Sequence, residues 1–164
     1  MDDIRVGLGF DSHRIEAGGP IRIGGVEIEC DGHLVGHSDA DVLLHAVTDA
    51  ILGAAGLEDI GQLFPNTSAS NKNRDSSEML RAALSRVRSL GFRVINIDCV
   101  LQSEVPKISP HKREIQSRIA SLLGIQADAV GIKGKSGEGI GEIGKGNLAE
   151  ATVVALLVRS RPGN

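Results

Sequence analysis

The stretch from Arg93 to Gln102 interleaves Val94, Asn96, Asp98 and Val100 with Ile95, Ile97, Cys99 and Leu101. A period of two sends these sets to opposite faces of an extended strand, and it is the clearest strand signal in the chain. A strand needs others beside it, and the sequence offers them. Residues 4–15 alternate with Ile4, Val6, Leu8 and Phe10 on one face. Residues 21–29 alternate around a break at Gly24-Gly25, after the turn signal Gly18-Gly19-Pro20. Short apolar runs at 129–133 and 147–159 complete the strand set. Between them lie three helical patterns. Leu43, Leu44, Val47, Ile51 and Leu52 recur at three- and four-residue steps, with Ser38 or Asp39 as the expected N-cap. Met79, Leu80, Ala83, Leu84, Val87 and Leu90 mark a second helix, opened by Asp75 with Glu78 in a capping-box pattern and stopped by Gly91. Ile115, Ile119, Leu122 and Leu123 mark a third, from Ser109-Pro110 to Gly124. The polar run Thr67 to Arg74 reads as a mobile surface loop. The order β-β-α-α-β-α-β-β predicts one α+β domain over 1–164, a mostly antiparallel sheet with its helices packed on one face.

Composition narrows the functional classes. Three phenylalanines and no Trp or Tyr leave the core to Val, Ile, Leu and Ala. A net charge of −3 without a basic run argues against nucleic-acid binding. Cys30 and Cys99 form no CxxC pair, which suggests free thiols in a reducing compartment. No signal peptide or membrane-length apolar run is present, so the expectation is a soluble cytoplasmic protein.

Chemistry concentrates in two places. His37-Ser-Asp-Ala-Asp-Val-Leu-Leu-His45 would set His37, Asp41 and His45 four apart along one helix. A lone histidine at a helix edge is ordinarily a satisfied polar residue, so a second source of ligands has to decide. Asp11 and His13 are two apart on the first strand and point to one side; carboxylate and imidazole both suit zinc, although Asp-x-His alone is a weak signal. The second place is the glycine-rich run Gly134 to Gly146. It could offer backbone N–H groups to phosphate, or be a flexible hairpin. It is not a P-loop, because Ala129 stands where the first glycine is required. Gly139-Ile-Gly-Glu-Ile-Gly144 matches a dinucleotide fingerprint in letters but not in context.

Taken together, Gly9-Phe-Asp-Ser-His13, His37 to His45, Thr48 to Ala55, Asp59-Ile-Gly61, Leu63-Phe-Pro65, Asp75-Ser76, Pro106-Lys107 and Gly144-Lys-Gly146 closely resemble the 2-C-methyl-D-erythritol 2,4-cyclodiphosphate synthase family, in order and spacing across nearly the whole chain. The resemblance implies a homotrimer with active sites between subunits, closing a cyclic diphosphate from a cytidyl diphosphate substrate with loss of CMP. It implies zinc on Asp11, His13 and His45, and a second divalent ion, magnesium or manganese, carried with the help of Glu138. His37 and Ser38 would bind the substrate phosphate, and Asp59, Ile60 and Gly61 the methylerythritol, with Phe64 and Pro65 beside them. The loop from Ser103 to Ser109, including Pro106 and Lys107, would cradle cytidine. His37 and Ser136 would stabilise developing charge, with Lys135 also in the substrate site.

Some positions depart from the family pattern. Asn66 replaces a usual carboxylate, Lys135-Ser136-Gly137 replaces a threonine-rich run while keeping a hydroxyl at Ser136, and Glu142 and Lys145 differ near the trimer's central cavity. The chemistry suits the assignment: attack of one phosphate on another requires alignment and charge neutralisation rather than a strong base. A zinc phosphohydrolase, which would release inorganic phosphate, and a non-catalytic binding module are the alternatives.

Overall fold

The computed structural model of the chain describes residues 2–65, 67–68 and 71–160. Strands β1 (Asp3–Ala17), β2 (Ile21–Ile23), β3 (Val26–Ile28) and β4 (Gly32–Val35) precede helices α1 (Val42–Ala55), α2 (Ile60–Leu63) and α3 (Ser76–Ser89). Strand β5 (Arg93–Gln102), helix α4 (Lys112–Leu123), strand β6 (Val130–Lys135), the short helix α5 (Gly141–Gly144) and strand β7 (Leu148–Arg159) follow. The main sheet runs β4-β1-β7-β5-β6 and is antiparallel except for the parallel β5–β6 pair. β2 and β3 form a separate hairpin turning on Gly24-Gly25, where positive φ at both positions suits glycine.

The core is aliphatic, as the composition requires, and its centre is α1 lying on β1 and β7. Ala149, Ala151, Val153, Ala155 and Leu157 of β7 are fully buried under it. On β1 the covered positions are Gly7 and Gly9. A Cβ on Gly9 would sit 1.9 Å from the Ala46 carbonyl oxygen, and one on Gly7 2.0 Å from that of Ala50. The helix therefore rests directly on the strand backbone. Ile4, Val6, Leu8 and Phe10 do share a face, and it is the face away from the helices, where they are 53–67% exposed. A bulge between Val94 and Asn96 shifts the β5 register, so that Val94 is buried together with Ile97, Cys99 and Leu101.

Helix α1 begins later than its sequence pattern suggests. Its N-cap is Asp41, not Ser38 or Asp39, and His37 lies in the turn before the helix rather than on it. The expected His37–Asp41–His45 line on one helix does not exist. Asp41 is chosen because its carboxylate also holds the hairpin turn: Oδ1 accepts from Leu44 N–H at 3.0 Å and Gly24 N–H at 2.9 Å, and Oδ2 from Gly25 N–H at 2.6 Å. At α3, Asp75 accepts from Ser77 N–H, and the short loop before it is anchored rather than free where it is described. Asn71 is buried and donates to the Pro65 carbonyl, Asn73 N–H donates to the His37 carbonyl, and Arg74 covers the Phe64 ring. The glycine-rich run is also ordered: Gly137 and Gly144 pack backbone to backbone, leaving 2.3 Å between a Gly137 Cβ and Gly144 N. Among the described residues, no helix is long and apolar enough to cross a membrane.

Candidate functional site

Asp11 and His13 project from the covered side of β1, and His45 from the first turn of α1 toward them. Their ligand atoms lie within 4.8 Å of one another. Asp11 Oδ2 is 2.9 Å from His13 Nδ1 and 3.0 Å from His45 Nδ1. The His45 contact has hydrogen-bond geometry, whereas the buried His13 Nδ1 has no hydrogen-bond partner among the described residues. One carboxylate oxygen thus faces two ring nitrogens, and one nitrogen keeps an unused lone pair or proton. Such a set is better completed by a cation than by its own members, and two imidazoles with a carboxylate form a donor group suited to zinc. Gly36 makes room for it, since a Cβ there would stand 2.9 Å from His13 Nε2.

The electrostatics agree. Burial would raise the Asp11 carboxyl, but the two adjacent imidazoles hold it below the usual carboxylate range. Burial opposes a charge on His45, yet Asp11 at its Nδ1, with Asp41 and Asp39 behind, raises its pKa. The site attracts positive charge, and a proton and a metal compete for the same lone pairs.

His37, Ser38, Ile60, Gly61 and Phe64 line the same cavity as the Asp–His–His group, with Asn71 and Met79 adding to the wall. Asp49 fixes part of that wall by accepting from Ile60 N–H at 2.7 Å. Among the described residues, the buried His37 Nδ1 has no hydrogen-bond partner. Asp59 acts as the N-cap of α2, accepting from Gln62 N–H, and neither it nor Pro65 is among the lining residues. Asn66 lies outside the described residues.

A second cavity is lined by Ser103, Pro106, Lys107, Lys135 and Ser136, together with Ile108 and Ser109. It shares no lining residue with the first. Ser136 Oγ donates to Glu138 Oε1 at 3.0 Å, so the two residues form one unit at its edge. Glu142 and Lys145 pair with each other on the exposed surface of α5 at 3.2 Å and line neither cavity.

The chain that builds these two walls has counterparts in known proteins. The YgbB family profile matches residues 4–158. The chain belongs to this family. Similar relatives include the 2-C-methyl-D-erythritol 2,4-cyclodiphosphate synthases of Gemmatimonas aurantiaca, 50% identical over 93% of this chain and 95% of that protein, and of Bordetella avium, 53% identical over 94% and 96%. Among solved structures, the bifunctional IspDF of Campylobacter jejuni is 39% identical with a TM-score of 0.93, covering 98% of this chain and 43% of that one. The CDP complex of Plasmodium falciparum IspF is 33% identical with a TM-score of 0.85, covering 96% and 97%. In this YgbB family member the Asp–His–His group, on the β1 side, and the lysine-bearing loop, on the β5 side, lie on opposite sides of β7 in the sheet order.

Reading the sequence missed two residues behind the site. Ser76 Oγ lies 2.8 Å from His45 Nε2 and also meets the Asp39 carboxylate. Ser76 was visible only as part of a motif. Nothing local ties it to a histidine 31 positions earlier.

Proposed function

We propose that this YgbB family member is a 2-C-methyl-D-erythritol 2,4-cyclodiphosphate synthase acting on 4-diphosphocytidyl-2-C-methyl-D-erythritol 2-phosphate. The observation that carries this reading is the convergence of Asp11, His13 and His45 at a cavity walled by His37, Ser38, Ile60, Gly61 and Phe64. An oxygen of the 2-phosphate attacks the β-phosphorus. The bond from that phosphorus to the bridging oxygen breaks, and CMP leaves with the oxygen. The nucleophile is already an anion, so no general base is assigned. Asp11, His13 and His45 would hold zinc, which supplies charge neutralisation at the phosphates. Glu138 would contribute to a magnesium or manganese site on the diphosphate.

The chain's own residues align and polarise the reactants. His37 offers a ring nitrogen without a protein partner, and Ser38 a hydroxyl, to phosphate oxygens. Ile60 and Gly61, held by Asp49, shape the methylerythritol subsite, with Asp59, Phe64 and Pro65 around it. Ser103, Pro106 and Lys107 receive the cytidine end, and Lys135 and Ser136 the diphosphate. The two cavities share no lining residue, and one face of the sheet exposes Ile4, Val6, Leu8 and Phe10 together with Val154. Both facts favour a homotrimer in which one copy's metal wall meets its neighbour's cytidine wall.

The deciding experiment is incubation with the cytidyl substrate and magnesium. CMP is followed by chromatography and the product by phosphorus NMR. Equal yields of CMP and a cyclic diphosphate are expected; inorganic phosphate with no cyclic product would instead indicate a hydrolase. His13→Ala should lose zinc and turnover together while keeping its far-UV circular dichroism.

A further inference from the structure

Asp39 is one of the best-satisfied carboxylates in the protein. Its Oδ1 accepts from Asp41 N–H at 3.3 Å and from the Ser76 hydroxyl. Its Oδ2 accepts from Ser76 N–H at 3.1 Å and faces Arg22 Nη1 at 3.5 Å. All four partners are donors, so the Asp39 oxygens act as acceptors and leave the Ser76 hydroxyl to donate. The polarity of the chain follows from this. A serine hydroxyl has one proton, and if Ser76 gives it to Asp39 its oxygen can only accept from His45 Nε2, 2.8 Å away. With a cation bound, His45 then carries its proton on Nε2 and turns the Nδ1 lone pair to the ion, on the side where Asp11 Oδ2 stands 3.0 Å away and the ligand atoms converge.

We infer that Asp39 and Ser76 are positioning residues that lock His45 in the Nε2–H form and thereby make Nδ1 the metal-donor atom. The inference rests on the proposed metal site and extends it to residues that touch neither metal nor substrate. An imidazole that donates its second N–H to a fixed acceptor is held in orientation and made a better donor, and loss of such a partner typically weakens metal binding about 10–100-fold. One corollary reaches the substrate. Ser38 Oγ also stands 3.1 Å from His45 Nε2 and accepts from Ala40 N–H at 3.2 Å. Against a protonated Nε2 it too can only accept, so its own proton is free to point into the cavity it lines. The same hydrogen-bond polarity that fixes the metal donor thus turns Ser38 into a donor for an anionic ligand.

The test compares wild type, Ser76→Ala, Ser76→Thr, Asp39→Asn and His45→Ala. Zinc affinity is measured by competition with a chromophoric chelator, and the His45 ring is followed by nitrogen-15 NMR of the zinc-loaded protein. Expected are an Nε2–H signal for His45 in wild type, zinc affinity about 10–100-fold weaker for Ser76→Ala and Asp39→Asn, and recovery in Ser76→Thr, which keeps the hydroxyl. Ser76→Ala combined with Asp39→Asn in one protein should bind no more weakly than the worse of the two alone, because both break one chain. Wild-type affinity in Ser76→Ala and Asp39→Asn, with zinc lost in His45→Ala, would overturn the positioning role and leave the metal site standing. Zinc retained in His45→Ala would remove the metal site itself. A His45 protonated on Nδ1 in the zinc-loaded wild type would overturn the assigned polarity. Far-UV circular dichroism separates any of these results from misfolding, with Ser76→Thr as the conservative control.

Discussion

Removing the Asp41 carboxylate should destabilise the protein in a pH-dependent way. Asp41 is fully buried, and its two oxygens serve Leu44, Gly24 and Gly25 N–H groups. In Asp41→Ala the Leu44 and Gly24 donors are buried without an acceptor, while half-buried Gly25 regains some water. At about 1–3 kcal/mol for each of the two buried orphans, the Leu44 one being the lost helix cap itself, the loss sums to about 4 kcal/mol. A second effect opposes this one. Burial pushes the Asp41 pKa up to about 6, against the pull of its three N–H partners. The folded state therefore binds the proton more tightly than the unfolded chain does, and wild-type stability declines as pH rises from the unfolded value through the folded one. The alanine variant has no such group. Its deficit should be about 4 kcal/mol near pH 4 and narrow by about 2 kcal/mol by pH 7.5. Groups that do not sense Asp41 are common to both proteins and drop out of the difference; His45, whose pKa Asp41 helps to raise, contributes a smaller change of its own. Urea unfolding at matched protomer concentration, repeated across pH, measures it. Asp41→Asn keeps Oδ1 and its two bonds and should fall between wild type and alanine. A deficit below 1 kcal/mol at low pH, or one that does not change with pH, would refute the reasoning.

Two further outcomes follow from the seating of α1 and from the open sheet face. Gly9→Ala places a Cβ 1.9 Å from Ala46 O and 2.6 Å from Ala50 N, both backbone atoms, so the helix must move. A loss of about 3 kcal/mol or more is expected by thermal or urea unfolding, with weakened zinc binding, and an unchanged midpoint would contradict the contact. Leu8→Asp changes a residue 67% exposed in the single chain and should leave its fold intact while converting the proposed trimer to monomers in sedimentation velocity. A persistent trimer would remove that face from the interface.

Much of this was legible in the sequence because periodicity and spacing are local. The alternation of 96–102, the apolar steps of α1 and the shared side of Asp11 and His13 all appear as written, whereas the bulge between Val94 and Asn96 moves Val94 to the opposite face from the one its spacing assigns. Alternation shows that two faces of β1 differ, but not which one is covered. The glycines at 7 and 9 decide that, by admitting a helix backbone where Ile4, Val6, Leu8 and Phe10 could not. The start of α1 was hidden for a related reason. Ser38, Asp39 and Asp41 are all competent caps, and the choice is made by two glycine N–H groups from a hairpin 16 and 17 residues earlier. Strand β4 is only four residues long and too short for a pattern to emerge. The support behind His45 joins Ser76 to residues 31 and 37 positions away, and no window along the chain contains it.

The direct seating of α1 on β1 also bears on which ions the site can accept. Asp11 and His13 belong to the strand and His45 to the helix, and near Gly7 and Gly9 no layer of side chains separates the two backbones. Where side chains form such a layer, a site can widen through small rotamer adjustments. Here the spacing between the two halves of the ligand set follows the contact between the main chains, and enlarging it means lifting a fourteen-residue helix off its strand. At the proposed metal site the stiffness of this frame would thereby favour small cations, in addition to the chemistry of the donors.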